Sequence, residues 1–169
     1  MESFILPIIL IYSGFILAIL FVVDLKTRLL PNKFVLQFLF CGIAFHIVTG
    51  FHYHNVTNML TATILSVGLL LCVRAAGNYF YKADTLGMGD IKLMGAAGIW
   101  LGTDYIFLAI SLGALAGIMH GIIYTVFMRI TTGQRIQFTT LSIPAGPGFI
   151  TGILIMALIK FHTLPSLLG

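Results

Sequence analysis

The stretch Phe4–Val23, FILPIILIYSGFILAILFVV, runs twenty residues without a charge before Asp24 interrupts it. A helix that crosses lipid needs about 20 such residues, so the segment reads as a membrane span. It makes a poor cleavable signal: Glu2 stands where a basic n-region belongs, the apolar run is too long, and no small-residue cleavage site follows. We therefore read it as a retained first span. The rest of the 169 residues agrees, being 59% hydrophobic and only 8% charged overall, with a mean hydropathy of +1.08. A soluble domain carries roughly 25% charged residues. This chain cannot coat a globule with polar surface, which excludes an ordinary soluble enzyme, a nucleic-acid binder and a disordered tail.

Outward from Val23, polar punctuation separates five more apolar runs. The six candidate helices are Phe4–Val23, Phe34–Gly50, Val56–Ala76, Leu86–Leu101, Tyr105–Met128 and Leu141–Phe161. The expected fold is all-α and polytopic, a single transmembrane domain over residues 1–169. Lys26, Arg28, Lys33, Arg74, Lys82, Lys92, Arg129 and Arg135 fall around the first, third and fifth connections. The connections Phe51–Asn55 and Thr103–Asp104 carry no Lys or Arg, and only Lys160 lies on the opposite side. An excess of Lys and Arg marks cytoplasmic loops, so the basic face is expected inside and both termini outside. Gly113, Gly117 and Gly121 form one helical stripe and Gly148 with Gly152 another, a spacing that lets neighbouring backbones approach closely.

Only five acidic residues exist, so each can be placed. Glu2 and Asp104 belong to the outer side and Asp84 to a cytoplasmic loop. Asp24 ends the first span and Asp90 opens the fourth, within Gly87-Met88-Gly89-Asp90. An acid at membrane depth is expensive and therefore a functional-site hypothesis, although a lone Asp at a helix end also serves as a cap. Here two fall at one depth, on one side, at the ends of different helices. Two close carboxylates resist joint ionisation, so one keeps its proton while the other stays charged. The charged member can take a proton from water and the protonated one can polarise a carbonyl. That chemistry needs no metal and no other cofactor. Gly87 and Gly89 permit close backbone approach beside Asp90, and Lys92 adds a nearby cation.

At this point the residues resemble a known family. Leu86-Gly87-Met88-Gly89-Asp90-Ile91-Lys92 is similar to the GxGDxK signature of the type IV prepilin peptidases, membrane aspartyl proteases. Asp24-Leu25-Lys26-Thr27-Arg28-Leu29-Leu30-Pro31-Asn32 resembles the family's first Asp with its basic stretch and Pro-Asn pair. Ile143-Pro144-Ala145-Gly146-Pro147 resembles its proline and glycine block, and Ala96-Ala97-Gly98-Ile99-Trp100-Leu101-Gly102 is also typical. The resemblance implies that Asp24 and Asp90 are the catalytic pair. Pro31, Asn32, Gly87, Gly89, Lys92, Pro144, Gly146 and Pro147 would position the site or its substrate.

The implied enzyme cuts the short basic leader from prepilin or pseudopilin-like precursors at the cytoplasmic face of a prokaryotic inner membrane, in pilus assembly or protein secretion. Its partners would be those precursors and the bilayer. Larger members carry an insert with paired CxxC motifs associated with N-methylation. This chain has only Cys41 and Cys72, each in an apolar run, so a peptidase without methyltransferase activity is expected. Asp84 has two readings, a contact for basic leader residues or a solvated carboxylate. Two rival functions use the same acids: a presenilin-like protease of other signal peptides, and an ion-coupled transporter, which would show inverted repeats and midplane acids.

Other residues carry smaller expectations. His46 and His120 lie inside spans, where interhelical hydrogen bonds suit them. His52 and His54 have metal-ligand spacing but no third ligand nearby. Trp100 reads as an interfacial aromatic anchor, and Arg74 as a side chain snorkelling to the cytoplasmic surface.

Overall fold

The computed structural model describes residues 2–132 and 145–162. Five α-helices account for nearly all of them: α1 Glu2–Thr27, α2 Asn32–Val48, α3 Val56–Tyr81, α4 Met88–Thr132 and α5 Gly146–Phe161. Large apolar side chains point outward throughout, among them Ile11, Phe15, Ile64 and Leu158. A water-soluble bundle would bury that surface, whereas lipid accepts it. Three helices are long and apolar enough to cross a membrane, in the ranges Ile5–Thr27, Val56–Tyr81 and Met88–Ile123. The chain is thus an all-α membrane protein. α2 and α5 are apolar but shorter, so the expected six spans reduce here to three long helices and two short ones.

Local chemistry sets the helix ends. α1 continues four residues past Val23, where the apolar run stops, and ends at Arg28. That residue takes a left-handed φ of 56°, and its amide donates to the Asp24 carbonyl at 2.8 Å, a common helix-terminating bond. Pro31 then starts α2 in extended geometry. Asn55 caps α3, its side chain accepting from the Asn58 amide at 2.9 Å. α3 runs five residues beyond Ala76 and stops at the left-handed Lys82.

The expected connection Thr103–Asp104 is helical instead. One residue, Gly102, does the work of a loop, with φ 69° and ψ −179°. The neighbours on α5 show how sharp the bend is. Gly146 abuts Asp90 and Lys160 bonds the Trp100 carbonyl, so α5 runs parallel to 88–101. Ala109 abuts Gly152 and Gly113 abuts Phe149, so it runs antiparallel to 103–132. The chain reverses at Gly102.

The reversal strips the last carbonyls of 88–101 of their helical partners, and side chains replace them. His46 Nε2 donates to Ile99 O at 3.0 Å, Lys160 Nζ to Trp100 O at 2.5 Å and His54 Nε2 to Leu101 O at 2.8 Å. Asn58 receives the Thr103 amide at 3.0 Å and donates to Thr103 Oγ1 at 2.9 Å. His46 therefore makes the interhelical bond expected of it, while His120 is exposed. His54 serves the turn; burial first, and then the charge of Lys160, hold its imidazole below the ordinary histidine range.

Glycines close two seams, at Gly98, which belongs to neither stripe, and at Gly113 with Gly148, where the spacing suggests it. A Cβ on Gly98 would lie 2.8 Å from the Thr63 amide nitrogen of α3, and one on Gly148 would lie 2.5 Å from the Gly113 carbonyl. Trp100 departs from expectation. It is 3% exposed, stacks on Phe38 at 5.5 Å and donates its indole N–H to the Phe38 carbonyl at 2.9 Å. It is a core residue at the turn rather than an interfacial anchor. Cys72 is exposed on α3, while Cys41 is half-buried.

Candidate active site

Asp24 and Asp90 come together across the first residue of α5. Asp24 occupies the last turn of α1 and Asp90 the first turn of α4. A Cβ built on Gly146 would lie 2.5 Å from Asp24 Oδ2 and 3.2 Å from Asp90 Oδ1. A bare glycine backbone is therefore all that fits between the two carboxylates. Both side chains are buried, at 4% and 7% exposure. The same two oxygens, Asp24 Oδ2 and Asp90 Oδ1, have no hydrogen-bond partner among the described residues. A buried polar oxygen without a partner is costly, and a pair of them aimed at one point is unusual in a purely structural site.

Short side chains in the motif make this approach possible. Gly87 leaves room for Asp90, whose Oδ2 would be 2.9 Å from a Cβ there. Gly89 lets the start of α4 abut the chain just beyond α1, since its Cβ would lie 2.8 Å from Leu30 Cβ. Lys92 Nζ donates to Asn32 Oδ1 at 3.1 Å, and the Pro31 carbonyl accepts from the Phe34 amide at 3.1 Å. These residues fasten the α1–α2 connection to α4, which fixes Asp24 relative to Asp90. Pro147 is buried at the start of α5, where its missing N–H removes no helical bond. Pro144, Arg135 and the start of the expected helix Leu141–Phe161 lie outside the described residues.

The segment before Asp90 is held from α3. Arg74 donates to the Leu86 carbonyl and, at 2.6 Å, to Asp84 Oδ1. Asn78 donates to Asp84 at 3.2 Å and accepts the Thr85 amide at 2.9 Å. Arg74 thus grips the loop before Asp90, and Asp84 is its partner, although 79% of the Asp84 side chain remains accessible. Residue pattern alone does not show this clamp, because neither partner's range of neighbours is set by spacing.

The two aspartates open on a polar cavity of about 340 Å³, also lined by Arg28, Arg74, Asp84, Leu86 and Ala145. Arg28, which the sequence offers as a topology signal and as part of the basic stretch after Asp24, also lines this cavity. Among the described residues no three His, Cys, Asp or Glu side chains are grouped to hold a metal ion. What the cavity presents is a carboxylate pair beside about 340 Å³ of open, polar-lined space.

Comparison with known proteins finds sequence relatives of the chain. The profile of the Type IV leader peptidase family matches residues 9–122. The prepilin leader peptidase/N-methyltransferase of Escherichia coli K12 is 31% identical over 121 residues, which cover 72% of this chain and 52% of that protein. The protein of the same description from Pectobacterium carotovorum is 32% identical over 130 residues, 76% of this chain and 45% of its own length. The Legionella pneumophila one is 31% identical over 146 residues, 83% and 46% respectively. The chain spans about half the length of the curated relatives it matches. No solved structure matches it.

Proposed function

The chain belongs to the type IV leader peptidase family, and from that premise we propose that it is an aspartyl endopeptidase whose catalytic pair is Asp24 and Asp90. The observation that carries the proposal is the convergence of two buried, unpartnered carboxylate oxygens on Gly146. In the proposed reaction the ionised carboxylate takes a proton from water while the protonated one donates a hydrogen bond to the scissile carbonyl oxygen. The water oxygen adds to the carbonyl carbon, and the tetrahedral species collapses with proton transfer to the leaving amine. No covalent intermediate forms.

We propose that the substrate is a prepilin or pseudopilin-like precursor, cut after a short basic leader, and that the whole chain acts as one transmembrane domain. The relatives' descriptions support the substrate class. In this reading the basic end, with Lys26, Arg28, Lys33, Arg74 and Lys82, faces the cytoplasm of a prokaryotic inner membrane. Six helical segments then cross or nearly cross it, with 88–101 and 103–132 counted separately and both termini outside. Methyl transfer is not assigned to this chain: Cys41 and Cys72 lie on different helices and form no CxxC pair.

The test is leader cleavage of a co-expressed prepilin by wild type, Asp24→Asn and Asp90→Asn. Wild type is expected to yield product, and each variant to lose about 100-fold or more at normal membrane levels. Cleavage by both variants overturns the aspartyl mechanism.

A further inference from the structure

The polar cavity does not end at the aspartates. Leu86 and Ala145 line it on one side and, on the other, an apolar cavity of about 390 Å³ between α3 and the 103–132 segment of α4. Its walls are Leu70 and Val73 from α3, Gly113, Gly117 and Ile118 from α4, and Phe149 from α5. Val73 and Ile118 are 52% and 62% exposed, so the cavity opens sideways, toward lipid. Phe149 is three residues along α5 from Gly146, so the groove begins within about 5 Å of the catalytic level.

One chemistry fits such a composite. We infer that the groove between α3 and the 103–132 segment of α4 seats the hydrophobic helix of the substrate, with its cleavage junction delivered past Leu86 and Ala145 to the two aspartates. The inference rests on the peptidase reading above and adds where the uncut part of the substrate is held. Gly117 supports it. On one side the Gly117 backbone packs against α5, 3.0 Å from a Cβ on Gly148, yet a Cβ on Gly117 itself would meet nothing within 4 Å. The open face of a glycine in an apolar groove lets another helix approach closely. The unpartnered oxygens of Asp24 and Asp90, in the cavity on the other side of Leu86 and Ala145, mark where the peptide bond would arrive. A rival apolar cavity of about 310 Å³ lies between α1 and α5, lined by Gly14, Leu17 and Trp100, and shares no residue with the polar one.

The experiment compares two substrates in proteoliposomes: a prepilin with its apolar helix, and a peptide ending a few residues beyond the junction. The quantity read is the ratio of the two cleavage rates. Gly117→Leu and Ala114→Leu fill the proposed groove, and Gly14→Leu fills the rival one, where a Cβ also meets nothing within 4 Å. The groove variants are expected to lower the prepilin-to-peptide ratio about tenfold, the worth of one well-buried leucine-sized contact, and Gly14→Leu to leave it within about twofold on the same scale. An unchanged ratio in both groove variants, as for a groove filled only by lipid, overturns the inference. A fall confined to Gly14→Leu overturns it too and moves the helix to the other face. If wild type cuts neither substrate across a panel of leaders, the peptidase reading fails and the docking site falls with it.

Discussion

Gly146 keeps the two carboxylates a backbone's width apart, and that leaves no room there for a side chain. Adding one methyl would place carbon 2.5 Å from Asp24 Oδ2, so Asp24, Asp90 or α5 must move. A misplacement near 1 Å at a reacting centre costs about 100-fold in rate. Gly146→Ala is therefore expected to lower leader cleavage by that order while the protein still reaches the membrane. Gly68→Ala is the control, since a Cβ there meets nothing within 4 Å. Equal cleavage by both variants would mean that the gap between the carboxylates is not what the reaction uses. Residue by residue, legibility tracked scarcity. With five acids in 169 residues, Asp24 and Asp90 could be paired by depth alone. Gly146 was placed by resemblance, but its position between them is a contact across more than fifty residues of chain that no spacing encodes. Trp100 is not legible as a core residue because a buried indole and an interfacial one look alike in sequence until the carbonyl it bonds is known.

Helices were legible as apolar runs, and their ends less so. α1 and α3 extend past their apolar runs because Lys26, Thr27, Asn78 and Tyr81 tolerate helix at a polar boundary as well as they tolerate a loop. The reversal at Gly102 is not legible in sequence because a two-residue loop and a single left-handed glycine leave nearly the same trace. At the scale of the element, that glycine and its ring of donors decide whether α4 folds back. Gly102→Ala would force a side chain into φ 69° and against His54 and Asn58, a strain of order 1–3 kcal/mol. Its melting temperature in detergent is expected to drop by roughly 2–4 °C per kcal/mol, and an unchanged value would argue against the bend. The same turn should be acid-sensitive. Burial first, then Lys160, lower the His54 pKa, opposed by the Leu101 bond and Asp104. The folded state thus binds fewer protons than the unfolded chain below the ordinary histidine value near 6.5. Stability is full above that value and declines as pH falls beneath it. Melting curves between about pH 7.5 and 5 are expected to show the decline, and His54→Gln to reduce it; a flat profile in wild type would remove His54 from the account.

Across the whole molecule, the two short helices pose the sharpest question. α2 has 17 residues and α5 has 16, reaching about 26 and 24 Å at 1.5 Å per residue, against a hydrocarbon core of about 30 Å. Their lengths alone fall short, but their attachments do not. Asn32, at the start of α2, bonds Lys92 near the aspartates, and His46, near its end, bonds Ile99 beside the Gly102 reversal. α2 therefore connects the same two ends of the bundle that the first part of α4 connects. If 88–101 crosses the bilayer, α2 crosses with it, and the mismatch is met by local thinning or by the polar residues at its ends. This can be tested with one pair of cysteines in a Cys41→Ser, Cys72→Ser background. Lys33 and His52 are both exposed, one at each end of α2. A membrane-impermeant maleimide is expected to label His52→Cys in intact cells and Lys33→Cys only after lysis. Labelling of both before lysis would mean that α2 does not span, and the reverse pattern would place the aspartates on the outer face, where no cytoplasmic leader could reach them.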